Sequence, residues 1–438
     1  MANGEWHIAY RISQCYLPLA IYYPLFAIRY RLSAMKRILY IHHGGGLGGA
    51  PLSLLYLLKQ LDRSRYEPIV LTLREGPVVD LYRQEGIETH VAQGIYDFSH
   101  TELESYSGTQ LWRLPLQVAR FLPSVAATRR YLTQFKPDLV HLNSSTLAAP
   151  ARAAWREKIP IVWHIREPIA KGYFGFRRQW LTNHIEHDST RIISISEFDA
   201  SRLLPSPKIR VIHNFVDFNT FDKNISAAEA RKKLNLSPAQ NVVVMLGGVA
   251  YPKGTLIFTQ ALPLVRKKVP NTKFLVAGQP PTIGDSSRIK SLAKFILRTD
   301  AYDRQVMKAA SDSIASGHIR FIGQRTDIPQ ILAASDLLVF PSVVPHFARP
   351  IIEAGAMAKP VVASRLGGPL ELVNDGATGV LTSPSDPAAL ADTIIALLTD
   401  PAKAKAMGEA GYILAKEKFN AEINAKRTFE VYEEVFGE

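Results

Sequence analysis

The feature that most constrains the fold is an alternation of short apolar strands and helices, which runs through the chain in two series. The strands expected in the first series are residues 37–42, 67–73, 137–142, 160–164, 191–195 and 208–213. Those expected in the second series are residues 242–246, 273–277, 319–322, 337–340, 360–364 and 379–381. Apolar strands that alternate with helices are typical of parallel sheets covered on both faces. The sequence therefore predicts an α/β protein with two doubly wound parallel sheets in tandem.

A polar stretch at residues 214–240 separates the two series and helps divide the chain into four predicted segments. Residues 1–35 precede the first series, 36–218 form a first domain, 219–419 form a second, and 420–438 form an amphipathic helix. We expect this helix to return to the first domain. Ligands of doubly wound sheets bind beyond the carboxyl ends of the strands, so two such domains that face each other would share one cleft.

The charge of the chain points to anionic partners. Among its 438 residues, Lys and Arg exceed Asp and Glu by 52 − 39 = 13. The excess lies in the first half, where residues 101–180 carry twelve basic and five acidic side chains. A basic surplus suits phosphate-bearing substrates, anionic lipid or nucleic acid. We expect the first two as partners, and no nucleic acid.

Two segments have the composition of elements that lie on a membrane surface. Residues 15–28 are apolar and flanked by arginines, but are shorter than the roughly 20 residues that span a bilayer. Residues 110–132 interleave large apolar side chains with four arginines. The alternative for each is an ordinary helix packed on the first domain.

The single cysteine, Cys15, permits no internal disulfide, and no secretory signal is evident. The sequence thus predicts a cytoplasmic protein at the inner face of the cell membrane.

A glycine-rich loop follows the first strand of each series. The loop at residues 42–49 contains G-x-G-x-x-G at Gly44, Gly46 and Gly49, which on its own is a weak dinucleotide signal. The loop at residues 247–254 places Lys253 just before a helix, where its ammonium would add to the field of the helix end and hold a pyrophosphate.

The stretch from Pro341 to Val373 indicates a nucleotide-sugar site. A strand ends at Pro341, and a helix with Pro350 in its first turn aims free N–H groups at one spot, which suits phosphate. Glu353, one turn further, cannot neutralise phosphate and is placed to accept hydrogen bonds from sugar hydroxyls. The turn Gly367-Gly368 is expected to be a second anion-binding turn.

Polar residues at the ends of two first-domain strands are candidates for sugar and acceptor contacts. His164 ends a strand and is expected to point into the cleft, where it could hydrogen-bond a sugar hydroxyl or share a proton. His141, Asn143 and Arg166 are acceptor candidates. For the histidines and the asparagine, the alternative is a loop-stabilising hydrogen bond.

Taken together, these motifs resemble the retaining glycosyltransferases of family 4, which have the GT-B fold of two Rossmann-like domains facing a cleft. The resemblance runs from about Lys36 to the C-terminus. It rests on HIRE at residues 164–167, ISISEFD at 193–199, VIHNFVD at 211–217, PKG at 252–254 and the stretch that ends at Val373. It implies that the first domain takes the acceptor and the second binds the nucleotide-sugar donor.

The resemblance also implies roles for individual residues. Gly48, Gly49 and Lys253 match residues that hold the donor diphosphate, His164 matches a histidine near the transferred sugar, and Glu353 matches the ribose-binding carboxylate. We expect catalysis to depend on His164, Lys253 and Glu353. Further donor-binding candidates are Gly248, Arg325, Phe347, Ala348, Arg349 and Ile351.

The chain departs from the family pattern at three positions. Pro345 stands where the first carboxylate of the E-x(7)-E motif is expected, Gly248 where an arginine usually precedes the lysine, and Ala348 where a glycine is usual. Arg349, Arg325 and Arg166 are candidates for the missing positive charge. The departures indicate either an altered donor-binding mode or an inactive relative.

The expected function is transfer of a sugar from a nucleotide-diphosphate sugar to a lipid-linked or envelope-polysaccharide acceptor, with retention of configuration implied by the resemblance. The chain has no Asp-x-Asp motif, so we expect no metal requirement and no cofactor beyond the sugar donor. Alternatives are a sugar-nucleotide epimerase of the same fold and a non-catalytic nucleotide-sugar-binding relative. An NAD(P)-dependent oxidoreductase would explain the loop from Gly44 to Gly49 but gives Lys253 and Glu353 no role.

Overall fold

The structure is a computed structural model, which describes residues 35–98, 113–171, 175–281 and 301–437. Its strands are β1 (Lys36–His42), β2 (Tyr66–Thr72), β3 (Glu88–Val91), β4 (Leu139–Leu142), β5 (Ile161–Ile165), β6 (Arg191–Ser194), β7 (Ile209–Val211), β8 (Asn241–Leu246), β9 (Thr272–Ala277), β10 (Ile319–Gly323), β11 (Leu337–Phe340), β12 (Val361–Ser364) and β13 (Gly379–Thr382).

The helices of the described residues are α1 (Gly49–Lys59), α2 (Pro77–Gln84), α3 (Arg113–Phe135), α4 (Ala148–Arg156), α5 (Phe176–Asp188), α6 (Glu197–Ala200), α7 (Ala227–Lys233), α8 (Thr255–Lys268), α9 (Ala301–Ala315), α10 (Ile328–Ala334), α11 (Arg349–Ala356), α12 (Pro369–Leu372), α13 (Pro387–Thr399), α14 (Pro401–Lys418) and α15 (Ala421–Phe436). A 3₁₀ turn at Tyr251–Lys253 precedes α8.

The strands form two parallel sheets, one in each domain. The first has the order β3-β2-β1-β4-β5-β6-β7, and the second has the order β10-β9-β8-β11-β12-β13. In the first sheet the order reverses between β1 and β4, and in the second between β8 and β11. Such reversal points open a crevice at the carboxyl ends of the strands. The prediction of two doubly wound α/β domains is confirmed.

Helices cover both faces of each sheet, which explains why the strands are apolar along their whole length. On one face of the first sheet, Leu39 and Ile41 pack with residues of α3, α4 and α5. On the other face, Ile38 and Tyr40 pack with residues of α1 and α15. The last helix therefore belongs to the core of the first domain.

The chain passes between the domains at two points that lie side by side. The Val216 N–H donates to the Phe419 carbonyl at 2.9 Å, and the Ala421 N–H donates to the Val216 carbonyl at 3.0 Å. The second crossing ends at Asn420, whose side chain caps α15 by accepting from the Glu422 N–H at 2.9 Å. The two crossings form a short two-stranded hinge.

The predicted strands are all present, with ends that agree to within two residues. The sequence prediction missed β3, whose four residues Glu-Thr-His-Val carry one large apolar side chain at the edge of the sheet. The predicted surface segment at residues 1–35 lies outside the described residues, apart from its last residue. None of the described helices is both long and apolar enough to cross a membrane.

The helix predicted in residues 110–132 combines both of its expected properties. The structure describes it from Arg113 as α3. Val125 and Leu132 are buried in the first-domain core, as in an ordinary domain helix. Val118 and Leu122 are nevertheless 61% and 63% exposed. The N-terminal half of α3 thus leaves apolar side chains in solvent.

Candidate active site

The two domains meet at a cleft of about 370 Å³ that is open to solvent. First-domain residues that follow β1, β5, β6 and β7 line one side, and second-domain residues that follow β8 and β11 line the other. Six predicted site residues line this cleft, namely Gly48, Gly49, Arg166, Lys253, Phe347 and Arg349. The cleft therefore lies at the reversal point of each sheet, where the topology places a ligand.

The glycines of the first loop divide into structural and cleft-facing positions. A Cβ atom on Gly45 would lie 2.2 Å from the Glu75 carbonyl oxygen, and one on Gly76 would lie 2.3 Å from the Gly45 oxygen. These two glycines therefore allow two loops to touch. Around Gly46, by contrast, a Cβ would meet no atom within 4 Å. Helix α1 begins at Gly49, so the free N–H groups of its first turn lie at the cleft.

Lys253 lies in the cleft against a histidine that the sequence prediction did not include. Its Nζ atom is 2.8 Å from Nε2 of His346. Since Nδ1 of His346 donates to the Val344 carbonyl at 2.7 Å, Nε2 is the acceptor of the lysine proton. Burial lowers the pKa of Lys253 to about 8. Burial, and then the charge of Lys253, lowers the pKa of His346 to about 3. The pair thus carries one positive charge, on the lysine.

Arg349, the first residue of α11, links the second domain to the first. Its Nε donates to Glu353 at 2.6 Å, and its Nη1 donates to the Gly49 carbonyl at 3.1 Å and to Oγ of Ser53 at 2.7 Å. The guanidinium also lies 5.0 Å from the ring centre of Tyr56. The side chain is therefore fixed across the cleft by groups of both domains.

Arg166 occupies the corresponding place on the first-domain side. Its Nε donates to Oδ1 of Asn143 at 2.8 Å, and its Nη1 donates to Oδ1 of Asn214 at 2.5 Å. Burial, opposed by the charge of Glu167 and assisted by that of Arg349, lowers the pKa of Arg166 to about 9. Asn143 thus does not line the cleft itself but holds the guanidinium of Arg166, which does.

The side chain of Glu167 brings a carboxylate to the lining of the cleft. Its Oε2 atom accepts hydrogen bonds from the Ser145 N–H at 3.1 Å and from the Ser145 hydroxyl at 2.8 Å. The Ser144 hydroxyl lies 3.2 Å from Oε1. Among the described residues, hydroxyl and backbone N–H donors hold this carboxylate, and no side-chain cation forms an ion pair with it.

The structure corrects the prediction for the two strand histidines. His164 was expected to point into the cleft, but its ring is 1% exposed and lies 5.3 Å from the ring of His141. Side chains alternate along a strand, and the face of β5 that carries Val162 and His164 is the one covered by α15. Burial lowers the pKa of both histidines well below the usual value. Nδ1 of His141 is hydrogen-bonded to the hydroxyl of Tyr432 at 2.7 Å, so His141 serves the core.

Two donor-binding candidates lie elsewhere. Gly248 has φ +71°, and a Cβ there would lie 2.2 Å from the Gln279 backbone N, so no arginine fits without moving that strand end. Arg325 is held in an exposed ion pair, with Nε 2.8 Å and Nη2 2.6 Å from the carboxylate of Asp327. Neither residue lines the cleft. Arg325 therefore supplies no charge to the cleft, and position 248 has no room for a charged side chain.

Three further candidates lie beneath the cleft surface. Ile351 packs in the second-domain core, and its N–H donates to the Ala348 carbonyl at 2.9 Å, so neither its side chain nor its N–H meets a ligand. Ala348 is fully buried beside it. Glu353 is buried and bonded to Arg349, so its role toward ribose stays a prediction.

The turn Gly367-Gly368 has a packing role. A Cβ on Gly367 would lie 2.7 Å from Cβ of Pro345, and one on Gly368 would lie 2.6 Å from the His346 carbonyl oxygen. The two glycines let this turn press against the loop that carries His346. This contact explains why both positions are glycine, and anion binding by the turn stays a prediction.

The sequence prediction missed several polar cleft residues besides His346, among them His42, Asn214 and Glu167. Nδ1 of His42 is 3.0 Å from the side-chain nitrogen of Asn143, and Asn214 holds Arg166. The available signal was a polar residue at the end of an apolar strand for His42 and shortly after one for Asn214. Among the described residues, no group of three or more His, Cys, Asp or Glu side chains is arranged to hold a metal ion.

Comparisons with known proteins agree with this geometry. The model of the family described as "Glycosyltransferase Family 4" matches residues 47–220, and the model of the family described as "Glycosyl transferases group 1" matches residues 226–413. Glycogen synthase of Mycobacterium tuberculosis is 28% identical over 313 residues, which are 68% of this chain and 69% of that protein. D-inositol 3-phosphate glycosyltransferase of Mycobacterium sp. (strain JLS) is 33% identical over 312 residues, which are 67% of this chain and 66% of that protein.

Solved structures share the fold. The crystal structure of Anabaena HepE in complex with UDP and glucose superimposes with a TM-score of 0.73 at 24% identity, over 91% of this chain and 99% of that one. Two doubly wound domains about one basic cleft define the class, which is a glycosyltransferase with the GT-B fold. The chain belongs to glycosyltransferase family 4.

Proposed function

We propose that this enzyme binds a nucleotide-diphosphate sugar in the cleft between its domains and transfers the sugar, with retention of configuration, to an acceptor on the first-domain side. The observation that carries the proposal is the set of cations in the cleft. Lys253 and Arg349 enter from the second domain and Arg166 from the first. A diphosphate is the part of a sugar donor that such a set of cations recognises.

The sugar donor fits the chemistry of this cleft in a second way. The N-terminus of α1 opens on it, with Gly46 and Gly48 leaving room for close approach of a ligand to the backbone. HepE from Anabaena has been crystallised with UDP and with UDP-glucose. By analogy, we expect the nucleoside diphosphate to lie against the second domain and the sugar to face the first.

The expected chemistry is stabilisation of the leaving group. As the bond between the sugar and the diphosphate breaks, negative charge grows on the diphosphate oxygens. Lys253 and the arginines meet that charge from fixed positions, which lowers the barrier. The acceptor hydroxyl attacks from the face that the diphosphate leaves, and a diphosphate oxygen takes its proton. None of these steps uses a metal ion or a further cofactor.

We infer an acceptor at a membrane surface from the first domain. Its helix α3 exposes Val118 and Leu122 beside Arg120, which lies 4.4 Å over the ring of the half-exposed Tyr96. Apolar side chains interspersed with arginines suit the headgroup region of an anionic bilayer. A lipid-linked acceptor of an envelope polysaccharide would meet the cleft there, at the inner face of the cell membrane.

The experiment is a turnover assay with the full-length protein. UDP-, GDP- and ADP-sugars are offered with a membrane lipid extract, and release of nucleoside diphosphate is followed together with labelled lipid. We expect one donor class to be consumed only when lipid is present, and Lys253→Ala to abolish turnover.

The other outcomes separate the alternatives. Conversion of the donor to an isomeric sugar without lipid indicates an epimerase, and binding without turnover on any extract indicates a non-catalytic relative. Quenching of NAD(P)H fluorescence would indicate an oxidoreductase, which the family membership does not favour.

A further inference from the structure

Three of the sequence motifs meet at one glutamate between the domains. The carboxylate of Glu371, on α12 of the second domain, accepts hydrogen bonds from the backbone N–H groups of Glu197 at 2.8 Å and Phe198 at 2.7 Å. Nε2 of His213 lies 3.3 Å from the same carboxylate. Glu371 belongs to the stretch that ends at Val373, Glu197 and Phe198 belong to ISISEFD, and His213 belongs to VIHNFVD.

The contact completes the N-terminus of a short helix of the first domain. Glu197 and Phe198 are the first two residues of α6, and such N–H groups have no partner within their own helix. The N-cap, Ser196, accepts from the Asp199 N–H at 2.9 Å, which leaves the first two N–H groups to Glu371. Hydrogen bonds from backbone N–H groups to a carboxylate are among the stronger ones in proteins. The first domain thus supplies the donors and the second domain supplies the acceptor.

The surroundings of Glu371 favour its charged form. Burial raises its pKa, but the hydrogen bonds from His213 and from the two backbone N–H groups outweigh burial, so that the pKa is lowered. The side chain of Glu371 is 19% exposed and that of His213 is 23% exposed. Because water has limited access, the contact is less weakened by solvent than an ion pair on the open surface.

The contact of Glu371 lies beside the hinge between the domains. The ring of His213 packs edge-on against the ring of Phe419, and the ring centres are 5.5 Å apart. The Phe419 carbonyl accepts the Val216 N–H within the hinge. The carboxylate therefore joins the domains close to the point about which they can rotate.

Helix α12 also contacts the part of the second domain that lines the cleft. Its N-cap, Gly368, lies against the loop of His346, since a Cβ there would lie 2.6 Å from the His346 carbonyl oxygen. His346 in turn contacts Lys253, with 2.8 Å between Nε2 and Nζ. Packed elements move together, so a shift of α12 relative to the first domain would displace the loop of His346 as well.

We propose that Glu371 is a positioning residue for sugar transfer, which joins α12 to α6 and thereby fixes the angle between the domains. This role rests on the proposed function, because a reaction between ligands held by different domains depends on that angle. A displacement of about 1 Å between reacting groups can cost about a hundredfold in rate. Binding of the nucleoside diphosphate depends less on the angle, because that part of the donor is expected to lie against the second domain.

The test compares turnover with ligand binding in the full-length protein. Turnover is measured with the nucleotide sugar that the wild type consumes and with membrane lipid extract, and binding is measured with UDP, GDP and ADP by isothermal titration calorimetry. Glu371→Ala is expected to lower kcat by about tenfold to a hundredfold. It should weaken the nucleoside diphosphate that the wild type binds by less than about threefold. Glu371→Gln keeps one oxygen acceptor and should fall between the two.

The matched control is Asp386→Ala. Asp386 also accepts from two helix N–H groups, those of Ala388 and Ala389 at 3.0 Å, but these lie in its own domain. Thermal unfolding should show a loss of stability in both alanine variants, while kcat of the control stays at the wild-type value. Hydrogen exchange of the Glu197 and Phe198 amides should be at least about tenfold faster in Glu371→Ala and unchanged in the control. Glu371→Gln serves if the alanine variant does not fold.

Four results would overturn the positioning role. If kcat of Glu371→Ala equals that of the control, the contact serves stability alone and the proposed function stands. If the nucleoside diphosphate is weakened as much as kcat falls, Glu371 acts on donor binding instead. If the two amides exchange at the wild-type rate in Glu371→Ala, the contact is absent in solution. If the wild type turns over no donor, the role fails together with the proposed function.

Discussion

The contact between Lys253 and His346 fixes the position of a positive charge in the cleft. The two are 93 positions apart in sequence, and their side chains meet because the loops after β8 and β11 adjoin. Gly247 makes room for the lysine, whose side chain would lie 3.3 Å from a Cβ at that position. A neutral acceptor thus orients the ammonium without cancelling its charge, so that the charge remains available to a ligand.

The first prediction concerns the pH dependence of donor binding. Burial lowers the pKa of Lys253 to about 8, and only the protonated form carries the charge that meets a diphosphate. The dissociation constant for UDP should therefore rise by up to about tenfold per pH unit above pH 8. Calorimetry between pH 6.5 and 9 checks this.

The matched variant for that experiment is Lys253→Met, which should bind weakly and show no such rise between pH 7 and 8.5. A wild-type dissociation constant that is the same at pH 7 and pH 9 would contradict the assignment of Lys253 to the diphosphate.

The second prediction concerns the glycine that replaces the usual arginine. Gly248→Ala puts a Cβ 2.2 Å from the Gln279 backbone N at φ +71°, and we expect it to lower the free energy of unfolding by about 2 to 4 kcal/mol. Gly317→Ala is the matched control, since Gly317 has φ +67° and open space around its Cα. It should cost about 1 kcal/mol. Urea unfolding measures both, and equal losses would show that close approach is unimportant at Gly248.

For single residues, the sequence predicts which loops carry functional groups better than it predicts the face of a strand to which a side chain points. Lys253, Gly48 and Gly49 lie where their motifs indicate, because a loop between a strand and a helix leaves few alternatives. His164 does not, because one residue of difference at the end of a strand decides which face a side chain joins. Contacts such as Arg349 with Ser53 depend on two folded domains and leave no local signal.

Among the elements, α3 illustrates a helix with two environments. Its C-terminal half buries Val125 and Leu132, and its N-terminal half exposes apolar residues. The sequence could indicate both behaviours but could not assign them to halves, since apolar residues occur on all sides of the helix. The strands were easier, because buried parallel strands form uninterrupted apolar runs.

The third prediction tests the exposed half of α3. The double variant Val118→Glu/Leu122→Glu should bind vesicles of phosphatidylglycerol at least about tenfold more weakly than the wild type, because it removes apolar contact and adds repulsion. Cosedimentation measures the bound fraction. The control is Ile413→Glu on α14, an equally apolar side chain that is 57% exposed in the second domain. If both variants bind as the wild type does, α3 is not a membrane contact.

For the whole molecule, buried neutral histidines determine the response to acid. Burial lowers the pKa of His42, His141 and His164 well below the usual value, and the pKa of His346 falls to about 3. Each of these groups binds fewer protons when folded than when unfolded, so stability is lost as pH falls below about 6.5. Asp199 opposes this trend, since burial raises its pKa to about 7 and its protonation favours the folded state as pH falls.

The fourth prediction follows from that balance. Four histidines at about 1 kcal/mol each, less about 1 kcal/mol for the carboxyl group, give a net loss of about 3 kcal/mol between pH 6.5 and 5.5. Urea unfolding at the two pH values measures it. His141→Asn should remove about 1 kcal/mol of this, which is about a third of the net loss. A protein that becomes more stable over this interval would show that the histidines are not the dominant groups.

The return of the chain to its first domain has a consequence for biosynthesis. His141 waits for Tyr432, which is added 291 residues later, or about 15 to 60 s at roughly 5–20 residues per second. Throughout that interval the part of the sheet face that α15 covers stays exposed, although α1 already covers the rest. The second domain, by contrast, is contiguous in sequence and can fold before α15 leaves the ribosome. A chaperone that binds exposed apolar surface would bind this face of the first sheet. A chain that lacks α15 would keep the face exposed and would aggregate.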